Sequence, residues 1–196
     1  MALSPVERFQ AEMAAQLRRL YPPESVREEW RTIENIRGLY SPRLDIAVGP
    51  FSIVRHGTCT TEHNELMDQS RALIARLLAA HGENVTEYWP TDPQLDLPPH
   101  IATFEELKGF NSNARCFLAI EIENAVTRKH LLGGALNASA LGRVGIAVGW
   151  TATKLKAIVR LRAYWDFLKS VGKNSFSTDN LLILNPDQLD TALSRE

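Results

Sequence analysis

The chain has 196 residues, 44% of them hydrophobic, and a formal net charge of -1. This length accommodates one ordinary core, so we expect a single domain over residues 1–196. No apolar run reaches 18 residues and MALSPVERFQ lacks the layout of a secretion signal, so we expect a soluble, cytoplasmic protein with no membrane partner. Cys59 and Cys116 form no CxxC pair, which predicts reduced thiols.

The first half of the chain predicts two helices, one strand and a third helix. The helices cover residues 5–20 and 25–38, and Ser25 with Glu28 forms the pattern of a capping box at the start of the second. Alternation of apolar residues predicts a strand over 44–50, closed by Gly-Pro. An amphipathic helix follows over 61–81, and four prolines between 89 and 100 predict a loop.

The second half predicts strands over 116–123, 143–149 and 181–185. A helix rich in Gly and Ala separates the first two strands, which predicts a βαβ unit with parallel strands and a close helix contact. A basic helix over about 152–171 precedes the third strand, and Pro186 opens a last helix. On the basic helix, the predicted core stripe consists of Ile158, Leu161, Trp165 and Leu168.

The charge is unevenly distributed along the chain. Residues 124–173 contain nine Lys or Arg and a single acid, Asp166, so this segment carries +8 and the remainder -9. The segregation is consistent with a polyanion partner or, equally, with solvated helix faces. Lys156 and Arg160 lie opposite the core stripe of their helix, where they could contact DNA phosphates.

Two glutamates, Glu121 and Glu123, end a strand that is otherwise apolar. Residues two apart on a strand share a face and lie roughly 6.6 Å apart. Phe117 and Ala119 precede them on that face, so we expect a strand buried on both faces and polar only at its carboxyl end. Asp45 begins the strand over 44–50, so it can meet the glutamates only if these two strands are antiparallel.

Carboxylates gathered in a partly dry site repel one another and lose hydration unless a cation joins them or one takes a proton. Mg²⁺ prefers oxygen ligands and keeps several waters, so two or three carboxylates and a carbonyl such as that of Ile122 would suffice. The structural alternative is an ion pair with Arg43, Arg128 or Lys129. A weaker pattern, His56, Cys59 and His63, has a spacing that could hold zinc, with a polar loop as its alternative.

These residues resemble the PD-(D/E)xK nuclease superfamily. The matching pieces are Pro42-Arg43-Leu44-Asp45, then Ile46-Ala47-Val48, and Glu121-Ile122-Glu123 with the βαβ unit, within residues 26–149. The resemblance implies a restriction endonuclease-like α/β fold, in which helices flank a mixed central sheet. N-terminal helices would cover residues 1–40, the core 41–149 with a helical insertion at about 55–112, and a helix, strand and helix 150–196.

The resemblance also implies a chemistry and a set of roles. Asp45, Glu121 and the Ile122 carbonyl would bind Mg²⁺, or Mn²⁺, for hydrolysis of a DNA phosphodiester by water, with Glu34 as a further acidic ligand. Glu123 occupies the usual lysine position as a ligand or base, and Lys129 would supply the missing charge. At a helix N-terminus, Arg128, Lys129 and His130 would meet a phosphate near the metal.

The expected function is therefore a restriction or defence type of endonuclease, which by analogy could act as a homodimer. Two alternatives remain open. One is a catalytically inactive, nuclease-like module that binds DNA or a protein. The other is an unrelated metal-dependent hydrolase of small phosphate compounds.

Overall fold

The structure is a computed structural model that describes residues 3–33, 41–52, 58–92, 97–124 and 128–194, with the backbone alone for 128–132. The helices of this part of the chain are α1 (Pro5–Leu20), α2 (Thr60–Gln69), α3 (Arg71–Tyr88), α4 (Phe104–Gly109), α5 (Arg128–Leu141), α6 (Ala152–Ser170) and α7 (Pro186–Ser194). The strands are β1 (Val26–Arg31), β2 (Arg43–Val48), β3 (Cys116–Glu123), β4 (Gly142–Gly149) and β5 (Leu181–Leu184). None of the described helices is both long and apolar enough to cross a membrane.

The five strands form a mixed sheet in the order β1-β2-β3-β4-β5. β1 pairs antiparallel with β2, and β2 antiparallel with β3, whereas β3, β4 and β5 run parallel. The predicted βαβ unit is confirmed. The Asp45 strand is antiparallel to the glutamate strand, which is the orientation that a meeting of their acids requires. The protein is thus of the α/β class, with a mixed sheet flanked by helices.

Apolar side chains fill both faces of this sheet. One face packs against α1, α3 and α7, through residues such as Met13, Ile74 and Leu189. The other packs against α5 and α6. A Cβ on Gly145 of β4 would lie 2.7 Å from the carbonyl oxygen of Ala138 in α5, so the small residues allow the close approach that the sequence predicted.

Side chains of α3 close the outer edge of β5. The Ile183 N–H donates to His81 Nδ1 at 2.9 Å, and Asn84 Nδ2 donates to the Ile183 carbonyl at 2.8 Å. Both side chains are buried. The backbone groups of this edge residue are therefore satisfied without another strand.

The helix predicted over 25–38 is wrong for residues 26–31, which form β1, whereas 34–38 lie outside the described residues. Both residues of the expected capping box have other partners: the Ser25 hydroxyl donates to the Pro22 carbonyl at 2.7 Å, and Glu28 pairs with Arg18 at 2.9 Å. Pairing with β2 decides the conformation of this segment, because a non-local ladder outweighs a local pattern.

The single helix predicted over 61–81 is two helices, α2 and α3, which meet at Ser70. The Ser70 hydroxyl is buried and lies 2.8 Å from the Tyr21 hydroxyl, so a side-chain contact fixes the break. α4 was not predicted, although Thr103 and Glu106 form a complete capping box at its start.

The core stripe predicted on α6 is partly wrong. Ile158 and Trp165 are buried, but Leu161 and Leu168 are only half-buried. Arg162 is 0% exposed and occupies the core side of the helix instead. Its guanidinium lies against His81 Nε2, donates to the His100 carbonyl at 2.6 Å, and lies 3.8 Å and 4.0 Å from Asp166 and Asp179.

Candidate active site

The pairing of β2 with β3 places Asp45 beside Glu121. Ile46 pairs with Ile120, so the register continued by one residue sets Asp45 opposite Glu121. Asp45 Oδ2 accepts a hydrogen bond from the Ile122 N–H at 2.7 Å. Because a strand residue directs its N–H and C=O to the same neighbour, the Ile122 carbonyl is also directed towards β2. Asp45, Glu121 and the Ile122 main chain therefore lie next to one another where the β2–β3 ladder ends.

Glu121 and Glu123 are buried at the carboxyl end of β3, with 8% and 6% of their surfaces exposed. All eight residues of β3 are buried, as the sequence predicted for a strand covered on both faces. Among the residues that the structure describes, Glu121 Oε1 has no hydrogen-bond partner. A buried carboxylate oxygen without a donor is costly, so this atom favours a proton or a cation as its partner.

The pKa values of all three carboxyl groups are raised. Burial is the largest cause for each, and it raises the pKa of Glu121 to about 9 and that of Glu123 to about 7. The charge of Asp45 adds to both shifts, and Glu123 adds to that of Glu121. For Asp45 the Ile122 N–H opposes the rise in pKa. Burial and mutual repulsion thus disfavour the state in which all three groups are charged, and a cation beside them would favour it.

Gly134 of α5 makes room for the Glu123 carboxyl group. A Cβ at this position would lie 1.7 Å from Glu123 Oε1 and 3.7 Å from the Cβ of Glu121. The main chain of Glu123 is also held in place, because the N–H of Trp150, just after β4, donates to its carbonyl at 3.1 Å. The end of β4 and the glycine of α5 together position this glutamate.

Glu29 of β1 is an acid near the site that the sequence did not single out. The β1–β2 register sets it opposite Asp45, and its charge raises the pKa of Asp45 and of Glu121. Its φ of 53° is a left-handed conformation that costs roughly 1–2 kcal/mol for a residue with a side chain. Arg43 pairs with it at 2.7 Å, and Gln10 Nε2 donates to its carboxylate at 3.1 Å.

A second residue that the sequence analysis missed is Lys154, in the first turn of α6. Its charge lowers the pKa of Glu123 against the effects of burial and of Asp45. Thr151 caps this helix by accepting from the Lys154 N–H at 3.3 Å. Lys154 therefore brings positive charge to Glu123.

The other predicted residues are placed as follows. Glu34 lies outside the described residues, as do the side chains of Arg128, Lys129 and His130, whose backbone opens α5. Lys156 and Arg160 are exposed on α6, on the side away from the core.

The weak zinc pattern gains no support from its described members. His63 is buried, and its Nε2 lies 3.0 Å from the Pro50 carbonyl, whereas His56 lies outside the described residues. Within the described ranges, no three or more His, Cys, Asp or Glu side chains are arranged to hold a metal ion. A set of two carboxylates, one carbonyl and several waters is smaller and remains compatible with Mg²⁺.

Comparisons of the chain with protein-family models, with curated proteins and with solved structures find no match. The class of the protein is thus given by its fold and site alone. It is an α/β protein with a mixed five-stranded sheet and a buried cluster of carboxyl groups where two adjacent antiparallel strands meet.

Proposed function

We propose that the protein is a metal-dependent DNA endonuclease of the restriction endonuclease-like type, which hydrolyses phosphodiester bonds. The observation that carries this proposal is the carboxyl cluster of Asp45, Glu121 and Glu123, in which a buried oxygen of Glu121 has no donor within the described part of the chain. The raised pKa values of the three carboxyl groups reflect the unfavourable burial of negative charges close together. A divalent cation would remove that cost.

The residues of the cluster fit Mg²⁺ chemically. Asp45, Glu121 and the Ile122 carbonyl supply oxygen ligands only, which suits a hard cation better than zinc or copper. When bound there, the ion would stabilise charge on the scissile phosphate and acidify the attacking water. Mn²⁺ accepts the same ligand set, so either metal should support the reaction.

Glu123 would accept the proton of the attacking water, and Lys154 would bind the charged phosphate. Glu123 lies beside the proposed ligands and is a carboxyl group, so it would serve as the general base that accepts a proton from the attacking water. Lys154 would attract a phosphate oxygen beside it, a role that the sequence suggested for Lys129. Lys156 and Arg160, exposed further along α6, would hold the DNA backbone without reading its sequence.

Purified protein should nick supercoiled plasmid with Mg²⁺ or Mn²⁺ and not with EDTA. Asp45→Asn and Glu121→Gln should each lower the nicking rate about 100-fold or more, since each removes a charged ligand from the site. The rate of conversion of supercoiled to open-circular plasmid, measured on agarose gels, checks this.

Glu83→Gln is the matched control, because Glu83 is exposed on α3 and should leave the rate unchanged. Nicking that survives both site substitutions would contradict the assignment. Salt-sensitive DNA binding without cleavage in either metal would instead favour the catalytically inactive binding module. That alternative stays open because Glu123 occupies the position where the nuclease superfamily usually has a lysine.

Gly134→Ala tests the position of Glu123 without changing any charge. The added methyl group would overlap Glu123 Oε1 and push the flexible end of that side chain away, so we expect a loss of nicking of about tenfold or more with little loss of stability. Gly133→Ala is its neighbour control, because a Cβ there meets none of the described atoms within 4 Å. Nicking rates and melting temperatures of both variants check this, and equal rates for the two would argue against a role for the Glu123 carboxyl group.

A further inference from the structure

An open cleft of about 760 Å³ lies at the carboxyl ends of β4 and β5, where α1, α6 and α7 begin. Its aromatic walls include Phe9 and Trp150, whose rings meet edge to face with centroids 5.5 Å apart. Both rings are half-buried, so part of each remains accessible from the cleft. The cleft thus offers aromatic surface in a space of the size that small ligands occupy.

Two contacts join this cleft to the carboxyl cluster. The Trp150 N–H donates to the Glu123 carbonyl at 3.1 Å. On α1, Gln10 follows Phe9 directly, and its side chain donates to the Asp45 carbonyl at 2.9 Å. Trp150 thus contacts the main chain of Glu123 directly, and Phe9 is one residue from Gln10, which contacts the main chain of Asp45.

The charges of the cleft disfavour a phosphate inside it. Glu12, Asp187 and Asp190 line the walls against one cation, Arg8, which leaves two net negative charges. Carboxylates repel phosphate but accept hydrogen bonds from the amino groups of nucleobases. The exposed cations Lys156 and Arg160 lie outside the lining of the cleft, on α6. This distribution suits a substrate whose bases turn inward and whose phosphates stay outside.

We propose that the cleft takes an unstacked nucleobase of the substrate, so that the enzyme cleaves single-stranded or unpaired nucleic acid in preference to an intact duplex. This inference rests on the proposed nuclease function. A free base can stack on Trp150 and Phe9, and stacking of this kind is indifferent to sequence. A base held in a duplex is stacked on its neighbours, and unpairing it costs free energy.

The test uses three labelled oligonucleotides of one sequence with the full chain and Mg²⁺: a single strand, a duplex with a central unpaired bubble, and a fully paired duplex. The first two should be cleaved at least about tenfold faster than the third. The free energy of stacking one base on an aromatic side chain corresponds to a factor of this size. Trp150→Ala should abolish the difference and Trp150→Phe should restore it. Tyr164→Ala is the control, since Tyr164 is an aromatic residue 55% exposed on α6 and outside the cleft.

A binding measurement separates the cleft from catalysis. Adenosine and cytidine, titrated calorimetrically without metal, should bind the unaltered protein and not Trp150→Ala. Should Trp150→Ala melt below the assay temperature, Phe9→Leu on the other aromatic wall provides the same test.

Equal rates on all three oligonucleotides, or a preference that survives Trp150→Ala, would overturn the inference and leave the nuclease proposal standing. No cleavage of any oligonucleotide with Mg²⁺ or Mn²⁺ would overturn the nuclease proposal and the inference with it.

Discussion

Glu121→Gln should raise the free energy of unfolding of the metal-free protein by about 3 kcal/mol at pH 7. The folded state holds the pKa of Glu121 at about 9, against an ordinary value of 4.5. Between these pH values the folded protein binds more protons than the unfolded chain, so this group lowers stability as the pH rises from 4.5 towards 9. Glutamine cannot ionise, so the variant loses this pH dependence.

Urea unfolding in EDTA at pH 4, 5.5, 7 and 8 checks this expectation. The two proteins should be equally stable at pH 4, and the variant should gain steadily above it. Glu83→Gln, at an exposed position of α3, should follow the unaltered protein throughout. A variant that is less stable at pH 7, or a gain that does not depend on pH, would show that Glu121 is ionised and compensated by some other group.

Arg162→Met should lower the free energy of unfolding by about 3 kcal/mol or more. The fully buried guanidinium lies beside Asp166 and Asp179 and donates to the His100 carbonyl. Its loss removes that donor and the cation that faces both aspartates, although Asp179 keeps Lys169 at 3.3 Å. Burial alone lowers the pKa of Arg162, while the two aspartates oppose that shift and keep it charged. The Arg162 side chain joins α6 to the segments that carry His100 and Asp179.

Arg160→Met is the matched control, because Arg160 is exposed two residues earlier on the same helix. It should change stability by less than about 0.5 kcal/mol and instead weaken DNA binding in a salt-dependent way. Urea unfolding and binding to labelled DNA at two salt concentrations measure both effects. Similar stabilities for the two variants would mean that the buried network contributes little.

The central strands were predictable because their sequence pattern and their environment agree. The run from Cys116 to Glu123 is apolar and β-prone, and the following Gly- and Ala-rich helix can only pack closely, so the βαβ unit follows from local information. Acids at the start of one strand and the end of another can meet only if the two strands are antiparallel. The structure fulfils this condition and sets Asp45 opposite Glu121.

The strand β1 was not predictable in this way. Val26 and Trp30 are its buried residues, and a spacing of four fits a helix as well as a strand. Only the ladder with β2 distinguishes the two, and it depends on residues far along the chain. Glu29 was missed for the same reason, since a helix would not have set it opposite Asp45.

Two further residues depend on how α6 packs. Lys154 follows Glu123 by 31 residues in sequence, and it approaches that glutamate only because the helix starts at the end of the neighbouring strand. Arg162 is the only arginine or lysine of α6 on its core side, and no periodicity of apolar residues identifies a buried arginine. Sequence patterns give the spacing of side chains but not the partners that make a buried charge tolerable.

The closure of β5 by α3 makes the two flanks of the sheet unequal. An incoming strand from another molecule would have to displace both His81 and Asn84 from Ile183, so chain-to-chain polymerisation by strand addition is blocked on that flank. Addition of a strand from another molecule is therefore directed to the β1 flank. This flank lies a single strand from Asp45. Any assembly formed there would set the acidic centres of two molecules face to face across a short span of sheet.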